Sequence, residues 1–130
     1  MNNRRNFSSG AKWEPIVGYS RAVRIGNVIE VSGTCAVDEN GNAFAPGDAY
    51  AQTLKALEII KKAITSLGGR MEDVTRTRIF VTNINDWEKI GKAHGEIFHT
   101  IRPATTMLEI SKLISPEYVV EIEATAILKD

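Results

Sequence analysis

Glu121 and Glu123 are the residues of this chain whose type and spacing most directly suggest chemistry. They stand two apart in Val119–Leu128, a run of strict alternation. Val120, Ile122, Ala124, Ala126 and Leu128 form one apolar face of a strand, and Val119, Glu121, Glu123, Thr125 and Ile127 form the other. A carboxylate held beside apolar neighbours can accept a proton from a water and aim that water at an electrophile. The same spacing also suits an ion-pair ladder. Arg76, Arg78 and Phe80 share one face of a second alternating run, Val74–Thr82, with Thr77, Ile79 and Val81 on the other. Buried charges are usually paired, so glutamates facing arginines are the plainer arrangement. Periodicity leaves both open. Arg78 is then either a partner for a carboxylate or a cation for a substrate anion.

Other chemistry is sparse. Cys35 is the single cysteine, so no intramolecular disulfide and no Cys/His zinc cluster can form. It follows Ser32-Gly33-Thr34 and reads as a small buried hydrophobe, with no histidine near it in sequence to activate the thiol. His94, Trp13 and Trp87 read as packing residues, and Arg102 as a solvated charge at a helix end. Sixteen Lys+Arg balance sixteen Asp+Glu, which argues against nucleic acid as a partner. No apolar run approaches the roughly 20 residues that cross a bilayer, so no membrane partner is expected. Met1–Arg5 is polar and basic, unlike a secretory signal. A cytoplasmic location is the default.

The elements that position these residues follow from period and punctuation. The 130 residues suit one domain, 1–130. Residues 1–15 read as an irregular segment, broken by Gly10, Pro15 and several Ser and Asn. Tyr19–Ile25 and Val28–Ala36 read as a hairpin around Gly26-Asn27. Asp48 is a helix N-cap. Tyr50, Leu54, Leu57, Ile60, Ile64 and Leu67 trace one helical face, which Gly68-Gly69 ends. A second helix starts at Asn85 or Asp86, with Asn85 and Glu88 spaced as a capping box. Its inner stripe is Trp87, Ile90, His94, Ile97 and Ile101, and Pro103 stops it. Thr105–Ile110 and Val119–Leu128 follow as strands, read as a closing hairpin. The fold class is α+β: a mostly antiparallel sheet with two helices packed on one face.

Two helices cover one face of a sheet. The other face would carry Val119, Thr125, Ile127, Phe80 and Met107 among Glu121, Glu123, Arg76 and Arg78. Such a face is too apolar for water, and burial against copies of the same chain is the simplest solution.

Several stretches, in this order and spacing, match a known family. They are Gly18-Tyr19, Arg24 to Gly33 (RIGNVIEVSG), the helix Gln52–Leu67, Asp73 to Val81 (DVTRTRIFV), Arg102 to Thr106 (RPATT) and Val120 to Ala124 (VEIEA). On these residues the chain resembles the reactive-intermediate deaminase family (Rid, also called YjgF-like) over nearly its whole length. The resemblance implies a chorismate-mutase-like fold and a homotrimer whose sheets form an inner β-barrel. It implies a small-molecule ligand in intersubunit clefts and hydrolysis of enamines or imines to a 2-oxo acid and ammonia, with no metal or cofactor. It also implies roles. Tyr19 and Ser32 line the cleft, Glu121 positions the attacking water, and the backbone at Met107 borders the ligand. Family deaminases carry arginine after Pro-Ala to grip a substrate carboxylate, whereas this chain has Thr105. Threonine offers no bidentate charged donor, so an altered substrate preference is expected. A non-catalytic trimer binding a small metabolite in the same clefts is the alternative.

Overall fold

The computed structural model describes residues 3–129. Its centre is a six-stranded mixed sheet in the order β1-β2-β3-β6-β4-β5. The strands are β1 (Arg4–Phe7), β2 (Ala22–Ile25), β3 (Val28–Thr34), β4 (Val74–Val81), β5 (Ala104–Glu109) and β6 (Val120–Ile127). Between them run α1 (Trp13–Val17), α2 (Ala49–Ser66) and α3 (Trp87–Phe98). Gly26 and Asn27 close the β2–β3 hairpin, with Ile25 opposite Val28. Gly26 has φ +60°, a value that favours glycine at the first position of a two-residue loop.

Strand β6 lies between β3 and β4 and is antiparallel to both. Val120, Ile122, Ala124 and Ala126 are buried on its inner face, as their alternation requires. Thr77, Ile79 and Val81 of β4 join them. Helices α2 and α3 pack on this face with their inner residues in one core with the sheet.

The N-terminal expectation needs correction. The reading of residues 1–15 as irregular fails for Arg4–Phe7, which pairs along β2 as an edge strand, and for Trp13 to Pro15, which begin α1; residues 1 and 2 lie outside the described residues. No apolar period marks β1, because tertiary bonds hold it. Arg5 Nη2 donates to the Leu67 carbonyl at 2.7 Å and Asn6 Nδ2 to Ser20 Oγ at 2.8 Å. The closing hairpin is also absent: β5 pairs parallel with β4 at the sheet edge, Thr77 opposite Thr105 and Ile79 opposite Met107. β4, α3 and β5 form a βαβ unit, the connection a parallel pair needs. This register puts Met107 on the helix side, where it packs against the core, and removes it from the uncovered face.

The helices differ in detail. Asp48 caps α2 as expected, accepting from the Ala51 amide at 3.0 Å. Its buried stripe runs through Gln52, Ala56, Leu57, Ile60, Ala63 and Ile64, and leaves Tyr50 and Leu54 half-exposed. The small residues Ala56 and Ala63 let the helix backbone approach the sheet. Gln52 is fully buried and bonds the Phe44, Ala45 and Glu117 carbonyls and the Val119 amide. A 3₁₀ turn, Ile84–Asp86, precedes α3, and Asn83 caps it through the Asn85 amide at 3.0 Å. Asn83 therefore replaces the expected Asn85–Glu88 capping box. Trp87 and Trp13 do not pack inside: they are 56% and 41% exposed. Ile90, Ala93 and Phe98 fill the buried side of α3 instead.

Gly69 marks the tightest core approach. A Cβ there would lie 2.9 Å from Ile64 Cγ2 and 3.0 Å from Ile29 Cδ1, both fully buried side chains. Gly69→Ala should therefore destabilise the fold by about 1–3 kcal/mol, the usual cost of overpacking. Urea unfolding checks this, and an unchanged midpoint would show that the two isoleucines yield freely.

Candidate functional site

Glu121 and Glu123 sit on the same face of β6 but meet different partners. Register places Arg78 opposite Glu123 and Phe80 opposite Glu121. Arg78 Nη1 accordingly lies 3.7 Å from Glu123 Oε1. Both groups are over a third exposed, so the pair contributes little to stability. Arg76 turns to Thr106, donating to its hydroxyl at 2.7 Å. The ion-pair ladder thus accounts for Glu123.

A bulge in β3 shapes the surroundings of Glu121. Val31 pairs with Ala124 and Thr34 with Ile122, so two residues, Ser32 and Gly33, oppose Glu123 alone. Beyond the bulge Cys35 reaches Glu121, and Sγ lies 3.4 Å from Oε2. The Glu121 side chain rests over Gly33: a Cβ on that glycine would stand 2.9 Å from Glu121 Cδ. Any side chain at Gly33 would have to displace the carboxylate.

Burial pushes the Cys35 thiol pKa strongly up, and the charge and hydrogen bond of Glu121 push it further. The sulfur is therefore a protonated donor to Glu121 and not a nucleophile at neutral pH. Cys35 is half-buried and contacts Glu121 through a weak polar bond, which the reading as a small buried hydrophobe missed.

Ser32 belongs to the same bulge as Gly33, and Tyr19 is tied to the bulge through Arg21. Ser32 Oγ donates to the Ser20 carbonyl at 2.7 Å. Arg21, absent from the sequence-based candidates, links them. Its Nη2 donates to the Tyr19 hydroxyl at 3.3 Å and its Nη1 to the Gly33 carbonyl at 2.7 Å. Arg21 is 7% exposed and Glu14 3%, and Arg21 Nε lies 3.8 Å from Glu14 Oε2. Burial pushes the Glu14 carboxyl pKa up, but hydrogen bonds from Ser9 and Ser8 and the Arg21 charge outweigh it and hold the value below the ordinary one. Glu14 is thus ionised at neutral pH and balances Arg21. The nearest signal in the sequence was an acid and a base seven apart around Gly18-Tyr19, too common a pattern to single out.

Thr105 and Met107 form a second group. Their partners in β4 are Thr77 and Ile79, so their side chains share the helix face of the sheet, whereas Glu121 is on the opposite face. Thr105 Oγ1 is 2.8 Å from Thr77 Oγ1, which is 2.9 Å from His94 Nε2. Thr105 also donates to the Pro103 carbonyl at 3.3 Å. Burial lowers the His94 pKa, so this chain of bonds is neutral at physiological pH. Two surface grooves of the single chain contain none of the expected site residues. One lies at the start of α2 against Asp86 and Lys89, and the other between Leu54, Leu57, Ile97 and Ile101. One chain therefore brings Tyr19, Ser32 and Glu121 into one neighbourhood and leaves Thr105 and Met107 in another.

Comparison with known proteins agrees with this architecture. The family model described as Endoribonuclease L-PSP matches residues 10–128. The 3-aminoacrylate deaminase RutC of Acinetobacter baylyi is 35% identical over 112 residues, covering 86% of this chain and 88% of RutC. The crystal structure of Mycobacterium tuberculosis Rv2704, a member of the YjgF/YER057c/UK114 family, is 44% identical with a TM-score of 0.88. It covers 97% of this chain and all of its own. Escherichia coli YjgF is 26% identical with a TM-score of 0.84, covering 96% of this chain and 99% of its own. Motifs, fold and relatives coincide over the same span, and the chain belongs to the endoribonuclease L-PSP family, known as the YjgF or Rid family.

Proposed function

We propose that this protein hydrolyses small reactive enamines or imines, releasing ammonia, in clefts between the subunits of a homotrimer with a chorismate-mutase-like fold. The observation that carries this reading is Glu121. Its carboxylate lies over Gly33, has no arginine opposite it, and accepts from a protonated thiol. It is placed to accept a proton from a water as the water oxygen bonds to the C=N carbon. That proton passes to nitrogen to give a carbinolamine, and the carbinolamine hydroxyl proton follows it through the carboxylate as C=O forms, the C–N bond breaks and ammonia leaves; an enamine enters this sequence by first taking a proton at its β carbon. Water supplies the oxygen and no redox partner is needed. RutC, the 35% identical relative, is named for an enamine of this kind.

The sheet face opposite the helices supports the trimer. Ile25, Leu108 and Ile127 lie on it and are 50%, 41% and 44% exposed. Packing these faces together would remove apolar surface from water. Thr105 is on the helix face of the edge strand β5, so Glu121 of one subunit would meet it only across that edge of the next. Thr105 sets substrate preference in this reading. A charge-assisted grip on a carboxylate is worth roughly 2–5 kcal/mol in a buried cleft, and a threonine hydroxyl tied to Thr77 and Pro103 cannot supply it. That same feature favours the second reading, a ligand-binding trimer without turnover.

Ammonia release from freshly generated imines, with and without a carboxylate, tests the function. Wild type should favour substrates lacking the carboxylate, and Glu121→Gln should abolish release while sedimentation still reports three 14.3 kDa chains. No release from any imine would leave the ligand-binding reading. Gly33→Ala should act like a mild Glu121 lesion: kcat falls at least tenfold because the carboxylate moves, while thermal stability changes little, since a flexible side-chain end can swing away. Equal losses in both would make Gly33 a folding residue only. Thr105→Arg places a guanidinium fork at the position of the family arginine. It should speed hydrolysis of 2-imino acids mainly through KM, with Glu121 still required. A folded variant with no gain would mean the cleft differs from its relatives at more than this residue.

A further inference from the structure

We infer that Arg21 is a positioning residue that fixes Tyr19 as an outward hydrogen-bond donor to an acceptor oxygen of the bound molecule. The inference rests on the proposed function for the molecule's identity, but its geometry is independent of it. A guanidinium has only donors. The Arg21 Nη2 contact with the Tyr19 oxygen, 3.3 Å long, must therefore run from arginine to tyrosine. The Tyr19 hydroxyl hydrogen is left to point away from Arg21. Tyr19 is half-exposed, so that hydrogen is available to a bound molecule.

Arg21 is held so that its fork cannot wander. Nη1 is bound to the Gly33 carbonyl at 2.7 Å and to Thr34 Oγ1 at 3.3 Å, and Nε to Ser9 Oγ at 3.4 Å. Thr34 Oγ1 in turn donates to the Ser32 carbonyl at 2.7 Å. The guanidinium carbon also lies 5.5 Å from the centre of the Tyr19 ring. One buried side chain thus grips both the tyrosine and the Gly33 backbone beneath Glu121. A buried ion pair is a weak source of stability compared with apolar residues of similar volume. Orientation of the site gives Arg21 and Glu14 a purpose that packing alone does not.

The test compares Tyr19→Phe, Arg21→Gln and Tyr19→Phe/Arg21→Gln, the arginine variants being made together with Glu14→Gln so that no buried carboxylate is stranded. Glu14→Gln alone is the control. Binding of 2-butanone, the neutral carbonyl product of an imine without a carboxylate, is measured by calorimetry, and imine turnover in parallel. Tyr19→Phe should weaken binding roughly 3- to 10-fold, the worth of one hydrogen bond. Arg21→Gln should cost a similar factor in the Tyr19 background and nothing further in the Tyr19→Phe background, because it acts through that hydroxyl. Fully additive losses, or an Arg21→Gln variant that binds like its control, would overturn the inference. Crystal structures of the Arg21→Gln variant give a readout that needs no ligand: the Tyr19 ring should leave its present position, and an unmoved ring refutes the proposal. If wild type neither binds 2-butanone nor releases ammonia, the proposed function falls, and the ring position still decides the role of Arg21.

Discussion

The antiparallel pairing of β6 with β3 on one side and β4 on the other is the constraint on which the rest depends. It closes the ladder at the middle of the sheet, where a strand must be buried along one whole face. Because side chains alternate, that burial fixes the opposite face as well. Once Ile122 and Ala124 are inside, Glu121 and Glu123 must emerge together on the far side. A slip of one residue would bury both glutamates and expose the core. The register that builds the fold therefore also delivers the carboxylate.

Register then separates two chemically identical residues. Glu123 faces Arg78 and is neutralised by it, while Glu121 faces Phe80. Two features keep Glu121 unpaired by arginine. Arg76 bonds Thr106, and the β3 bulge puts Gly33 and Cys35 beneath and beside the carboxylate. The bulge has a cost in ladder regularity and a result in space: only a residue without a Cβ leaves room for Glu121 to lie back. Alternation alone, which sees both glutamates as equivalent, cannot make this distinction.

Much of the fold was legible because its signals are local. Strict alternation marked β6 and β4, Gly26-Asn27 marked the hairpin, and Asp48 and Gly68-Gly69 bounded α2. What was not legible rests on distant partners. β1 is four mostly polar residues whose bonds go to Ser20 and Leu67. β5 reads as a strand, yet its parallel partner β4 precedes it by a helix. Trp87 falls on the helical period but lies at the exposed start of α3. The site divided the same way. Tyr19, Ser32, Glu121, Thr105 and Met107 came from family motifs, while Arg21 came only from three-dimensional contacts, since its partners belong to α1, to the bulge and to the loop before β2.

Thr105 shows how one substitution redistributes bonds without disturbing the fold. An arginine at this position would reach beyond the strand edge, and its charge would need an anion to meet. The threonine hydroxyl instead turns inward and ends a neutral series through Thr77 to His94. The series ties β5 to β4 and α3, so the substitution exchanges reach for local attachment. Across the sheet the only nine-tenths-buried cation among the described residues is Arg21, already balanced by Glu14. Arg21 is too enclosed to grip a ligand directly, and its influence passes through Tyr19. A cleft built from these two edges would meet a ligand with neutral donors, one carboxylate and apolar walls. That chemistry fits a small, weakly charged electrophile better than a dianion or a polyphosphate, and it follows from where the charges are buried.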